Sequence, residues 1–208
     1  MRLSVNGKTT DWEMDGYKDL STAVADMRQK FMDSKQVVVD AFVDGQEVEI
    51  TPETWERPLK EFEELSITVE SAYSLCRNVV SGLQESLSNL PAVKVVFQEL
   101  LIPEKRKEAM SVVHELVELC HSLLESIINV AALTGTEPDE VSVNGQSFDE
   151  ASGNISVLLQ DLNEALKAEN YLETADLLEH ELLPMLESWN GTLDDLSKKV
   201  DVLENAEA

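Results

Sequence analysis

Three histidines fall in the second half of the chain, His114, His121 and His180. Glu118 precedes His121 by three residues, a Glu-x-x-His pair on one helix. Two such pairs with two further glutamates build a di-iron or di-manganese carboxylate bundle. The second pair is missing, because Leu177 stands three residues before His180 and the acid Asp176 stands four before it. His114 and His121 are seven residues apart, roughly 10 Å along a helix, so they need ligands from another helix to share an ion. His180 lies between Glu179 and Glu181, as at a solvated or boundary position. The pattern predicts flank histidines with ordinary hydrogen bonds, no metal and no cofactor. A metal-dependent bundle enzyme built on Glu118 and His121 is the catalytic rival.

Other catalytic signatures are missing from the sequence. It contains no Gly-x-Ser-x-Gly, no phosphate loop ending in Gly-Lys-Ser/Thr, no His-Glu-x-x-His and no dinucleotide fingerprint. The 8 glycines are mostly consumed by turns. Cys76 and Cys120 both fall on apolar helical stripes, which predicts buried free thiols and a reducing, cytoplasmic compartment. The candidate interaction residues are Trp55, His180 and Trp189. Trp55 sits between Pro52 and Pro58, as an anchor in a binding site or a cap over a small sheet. Trp189 belongs to an apolar seam and is expected in the core.

The net charge of −25 limits the partners. Residues 1–70 carry 8 basic against 16 acidic side chains, and residues 71–208 carry 8 against 25. Nucleic-acid backbones and anionic lipid are repelled by such a surface. A protein partner, basic in character, fits it, and so does simple solubility. No run approaches the roughly 20 apolar residues of a membrane span, and the N-terminus has no signal-peptide core.

Residues 1–70 change period repeatedly. Arg2 to Val5 reads as a strand, Asn6-Gly7 as a two-residue hairpin turn, and Lys8 to Glu13 as the return strand. A helix follows from about Lys18 to Ser34, capped near Asp19 or Ser21, with Leu20, Ala23, Val24, Met27 and Phe31 on one face. Val37 to Val43, Asp44-Gly45 and Glu47 to Ile50 form a second hairpin. Loop and a short turn lead to a last strand, Leu65 to Glu70. This order resembles the β-grasp, or ubiquitin-like, fold. Members that conjugate or carry sulfur end in a free Gly-Gly tail, whereas this strand runs on into Ser71-Ala72-Tyr73. The use that the resemblance leaves is a small protein-binding module.

Residues 71–208 read as an acidic helical bundle. One helix runs from Ala72 and stops near Pro91, and a short one continues through Leu101. A long helix spans about Glu104 to Thr134, with Val113, Val117, Cys120, Leu124, Ile127 and Ala131 on one stripe and Gly135 as its stop. Glu140 to Phe148 looks like a small hairpin that repeats the Ser-Val-Asn-Gly of residues 4–7 through shared turn chemistry. A helix from about Asp149 to Ala168 and a joint at Glu169-Asn170 precede the C-terminal stretch. There, Leu182, Leu186, Trp189, Leu193, Leu196, Val200 and Leu203 recur in steps of four and three. That seam predicts one helix, kinked near His180–Pro184 and continuous through Gly191. The Leu162 to Trp189 tract also looks like the C-terminal hairpin of uncharacterised bacterial helical proteins.

The fold class is therefore α+β, a small β-grasp-like domain (residues 1–70) followed by an antiparallel helical bundle (residues 71–208). One end of the bundle is expected to be three helices thick, leaving room for the N-terminal domain or for a second copy in a homo-oligomer. The expected function is a non-catalytic protein-interaction module, an adaptor or assembly factor. An acidic helical chaperone of the type III or flagellar export kind is the rival in the binding class.

Overall fold

The computed structural model describes residues 1–12, 14, 16–47, 57–137 and 140–207. The chain is α+β and divides into two compact units, Met1–Leu75 and Cys76–Ala208.

The first unit holds a five-stranded sheet. Its strands are β1 (Arg2–Val5), β2 (Lys8–Thr9), β3 (Gln36–Val43), β4 (Gln46–Glu47) and β5 (Glu64–Ser71), in the order β2-β1-β5-β3-β4. β1 runs parallel to β5, and every other pairing is antiparallel. Helix α1 (Leu20–Asp33) connects the two hairpins, giving the β-grasp-like arrangement expected from the element order. Asp19 caps α1, its carboxylate accepting from the Thr22 N–H at 2.9 Å. Leu20, Ala23, Val24 and Met27 of α1 share a core with Leu3, Leu65, Ile67 and Val69 of the sheet.

The turn residues Asn6 and Asp44 do more than reverse the chain. Both take positive φ, 49° and 50°, each followed by a glycine in the same region. The Asn6 side chain also donates to the Val69 carbonyl at 3.1 Å and accepts from the Val69 N–H at 2.8 Å. At the other end of β5, the Asp44 carboxylate accepts from the Glu63 and Glu64 N–H groups at 2.9 and 2.8 Å. The central strand is thus clamped near both ends by the two hairpin turns.

The return strand, expected from Lys8 to Glu13, is Lys8–Thr9: after Thr10 the chain leaves the sheet and packs Trp12, and Glu13 lies outside the described residues. The Trp12 indole donates to the Tyr17 hydroxyl at 3.4 Å, stacks obliquely on Phe31 and lies under the Lys30 ammonium. Tyr17 in turn donates to Asp26, which pairs with Lys30 at 2.8 Å. Of the second hairpin's return strand, expected from Glu47 to Ile50, residues 48–50 lie outside the described residues.

The second unit carries four helical stretches and a small hairpin. Helix α2 (Ala72–Glu99) starts in the first unit and runs straight through Pro91, which was expected to end it. Proline removes one backbone donor and crowds the preceding turn. Leu83, Leu87, Leu90 and Phe97 nevertheless stay on one buried stripe, and an exposed proline does not displace them. Helix α3 (Arg106–Thr134) ends at Gly135 in the left-handed conformation, φ 64°. Its buried stripe is Val113, Leu116, Cys120, Leu123, Ile127 and Val130, so Leu116 and Leu123 take the places expected for Val117 and Leu124. By length and composition alone α3 is apolar enough to cross a membrane, although its apolar residues are interrupted by charged ones and form no continuous run. Its stripe is buried here, and Glu115, Glu118 and Glu125 lie on its exposed side.

Strands β6 (Ser142–Val143) and β7 (Gln146–Ser147) form a third hairpin, with Asn144 and Gly145 again at positive φ. Ser147 opens helix α4 (Phe148–Lys167) with a reciprocal capping box to Glu150. The C-terminal stretch comprises α5 (Tyr171–Leu177), a π turn (Leu178–Leu182), α6 (Leu183–Glu187) and α7 (Asn190–Glu207). Where a kink was expected near His180–Pro184, the backbone forms this π turn, in which the Leu183 N–H donates to the Leu178 carbonyl. The wider turn places both Leu182 and Leu183 in the core.

Gly191 lies inside α7, so the chain does not stop at Asn190-Gly191. The single helix expected there is interrupted slightly earlier, at Ser188-Trp189. The Ser188 hydroxyl donates to the Met185 carbonyl at 2.6 Å, and the Asn190 amide donates to the Glu187 carbonyl at 3.1 Å. Local side-chain bonds of this kind compete with the helical ladder.

Two outcomes follow from this geometry. Glu169 is exposed and takes the left-handed conformation (φ 54°) after α4, with Asn170 N–H bonded to the Ala165 carbonyl. Glycine carries no steric penalty there, so Glu169→Gly should stabilise the protein by about 0.5–1 kcal/mol, read as a higher urea midpoint. The Lys30 hydrogen bond and then the Tyr17 hydroxyl hold the Asp26 carboxyl below its ordinary 3.8. A depressed carboxyl contributes stability that is present above the unfolded value and is lost as pH falls through the folded value. Acid titration below pH 3.8 should therefore destabilise the wild type more than Asp26→Asn, measured by urea unfolding across that window.

Candidate functional site

The C-terminal stretch buries one face of α5 and the π turn through Thr174, Ala175, Leu178, Leu182 and Leu183. Residues at other phases must point outward. Leu172, Asp176 and His180 recur at four-residue steps on the opposite side, beside Glu173 and Glu181. Together with Asn170 and Leu177 they line an open groove of about 580 Å³. Leu172 is 60% exposed, an apolar side chain on an otherwise acidic surface.

Contacts from neighbouring elements fix this groove. Asn170 caps α5, its amide oxygen accepting from the Glu173 N–H at 3.3 Å and its amide nitrogen donating to the Glu173 carboxylate at 2.6 Å. The Arg106 guanidinium lies 3.8 Å from the centre of the Tyr171 ring and donates to the Leu100 carbonyl at 2.9 Å. Gln98 of α2 donates to Glu179 of the π turn at 3.2 Å. The acids Glu173, Asp176 and Glu181 have no ion-pair partner among the described residues. By contrast, Asp195 pairs with Lys198 at 2.9 Å, and Arg77 pairs with both Asp201 and Glu204.

A second hollow of about 380 Å³ lies between the β6–β7 turn and the start of α7. Thr192 closes its floor by donating to the Ser142 carbonyl at 2.9 Å. Its lining is of mixed charge, with Asp194, Asp195 and Lys198 at the mouth.

Of the residues singled out from the sequence, only His180 lies in the groove. Trp189 is fully buried, packed edge-on against Phe148 with ring centroids 6.0 Å apart, so it is core and not contact surface. Its indole N–H has no acceptor among the described residues. Trp55 lies outside the described residues. His114, Glu118 and His121 are exposed on α3, and among the described residues no three His, Cys, Asp or Glu side chains converge as metal ligands. The sequence pattern singled out neither Leu172 nor the groove acids Glu173 and Asp176, and gave Glu181 only as a neighbour of His180. The available signal was Leu172 itself, an apolar residue out of phase with the seam.

Both cysteines are free thiols, Cys76 half-buried and Cys120 buried. Burial raises the Cys76 thiol and pushes Cys120 up to about 12. The thiolate is the reactive species, so Cys120 stays unreactive at neutral pH. Iodoacetamide should modify Cys76 slowly and Cys120 only after unfolding, read by mass spectrometry of the intact and denatured protein.

No curated protein and no solved structure matches the chain. Residues 67–192, running from within β5 to the first turn of α7, match the family model described as Domain of unknown function (DUF8042). The match covers more than half of the 208 residues and includes the whole groove, and the chain belongs to that family.

Proposed function

We propose that the chain is a non-catalytic protein-interaction module, an adaptor or assembly factor working in the cytoplasm. The observation that carries this reading is Leu172, a large apolar side chain left 60% exposed at a defined groove. What distinguishes it from other exposed apolar side chains is its place in the groove beside Leu177 and a polar rim, the core-and-rim make-up of a protein contact. The β-grasp-like unit supports the same reading, since protein binding is a common use of that fold. Two free thiols favour a reducing compartment.

Photo-crosslinking in the producing cell tests the reading. A photoreactive residue at position 172 should yield discrete adducts, whereas one at the exposed Glu118 of α3 should yield none or only diffuse ones. No adduct at 172, or identical adducts at both positions, would remove the support for an interaction role.

A further inference from the structure

We infer that the α5 groove docks a cationic segment of a partner protein, a short stretch in which lysines or arginines flank an apolar side chain. The inference rests on the interaction reading and adds the chemistry of the partner. Its first support is charge. Between Lys167 and Lys198 the sequence has no lysine or arginine, while it has Glu169, Glu173, Asp176, Glu179, Glu181 and further acids. Three of these, Glu173, Asp176 and Glu181, line the groove, and none has an ion-pair partner among the described residues. The nearby Arg106 is engaged with the Tyr171 ring and the Leu100 carbonyl, and it is not among the groove's lining residues.

The second support is the mixture of surfaces. Leu172 and the half-buried Leu177 supply apolar area beside the carboxylates. A purely cationic ligand leaves Leu172 in water, and a purely apolar one leaves the acids beside a low-dielectric surface with no counter-charge. A segment that places one apolar side chain on Leu172 and cations over Asp176 and Glu181 satisfies both. Lysine and arginine suit the rim geometry, because their long stems cover apolar surface while the charged heads reach outward. The groove follows about 12 residues of helix, roughly 18 Å, a length that a peptide of about 12 helical residues matches.

The test uses the full chain and three synthetic peptides of about 12 residues. One carries lysines flanking a central leucine, the second replaces that leucine with serine, and the third replaces the lysines with glutamine. Fluorescence anisotropy is read at low and at physiological salt. The lysine–leucine peptide should bind, more weakly as salt rises. The double variant Asp176→Asn with Glu181→Gln should weaken it roughly fivefold. Leu172→Ser should weaken the lysine–leucine peptide and leave the lysine–serine peptide unchanged. The control pair Glu115→Gln with Glu118→Gln on α3 should bind as the wild type does.

Equal loss in the control pair would show attraction to net charge alone and overturn the assignment to this groove. Equal binding of the glutamine peptide, or no binding of the lysine–leucine peptide, would overturn the cationic partner. Adducts at position 172 in the cell would in either case still support an interaction role, so the two failures remain separable.

Discussion

The helical unit depends on keeping one apolar stripe in the core over the whole C-terminal stretch. Leu178, Leu182, Leu186, Trp189, Leu193, Leu196 and Val200 are all buried. Each large side chain of this kind gains about 1.5–3 kcal/mol from burial. A proline in a helix costs about 3 kcal/mol and a glycine about 1. Losing the register would expose several of the large side chains at once, so the backbone yields instead. At Pro184 it yields by widening one turn, and at Ser188-Trp189 by giving carbonyls to side-chain donors. The same inequality lets α2 pass Pro91.

What faces outward follows from what the stripe claims. The side of α5 left over is the acidic one, and its π turn stands beside the end of α2 through the Gln98–Glu179 bond. Leu172 is out of phase with the buried set, so nothing in the stripe can cover it. An exposed leucine among unpaired acids is therefore a by-product of the register as much as a separate feature of the surface. Some acids elsewhere meet cations, as Asp201 and Glu204 meet Arg77, but with 41 acids against 16 lysines and arginines the surplus is spread over the surface, and what sets the groove apart is Leu172 among its acids.

Much of this was legible in the sequence, for identifiable reasons. Asn6-Gly7, Asp44-Gly45 and Asn144-Gly145 are turn dipeptides whose backbone demands are strict, and the hairpins appear where they stand. The cap of α1, expected at Asp19 or Ser21, was similarly local and is Asp19, whereas the Ser147 cap was hidden inside the expected hairpin. Pro91 misled because a strong local breaker was weighed without the stripe on either side of it. In α3 the apolar residues are dense enough to offer two overlapping stripes, and only tertiary contact selects Leu116 and Leu123 over Val117 and Leu124. A kink and a π turn leave the same trace in a sequence, a proline within an unbroken seam. The groove was the least legible part, since its acids resemble any solvated helix face until Leu172 is seen to be uncovered.

The parallel pairing of β1 with β5 bears on how the first unit comes into being during synthesis. Arg2 pairs with Glu64 and Val5 with Ile67, so the first strand made waits for the last. Contacts of such sequence separation are slow to close, because the loop entropy is spent before any bond rewards it. At a typical elongation rate of about 5–20 residues per second, the roughly 60 residues between the two strands take several seconds to make, and for that time β1 lacks β5. During that interval the β1–β2 hairpin has only its own short ladder and the Asn6-Gly7 turn to hold it. Substitutions that weaken that turn would then lower the yield of folded chains in the cell by more than their effect on the finished protein accounts for.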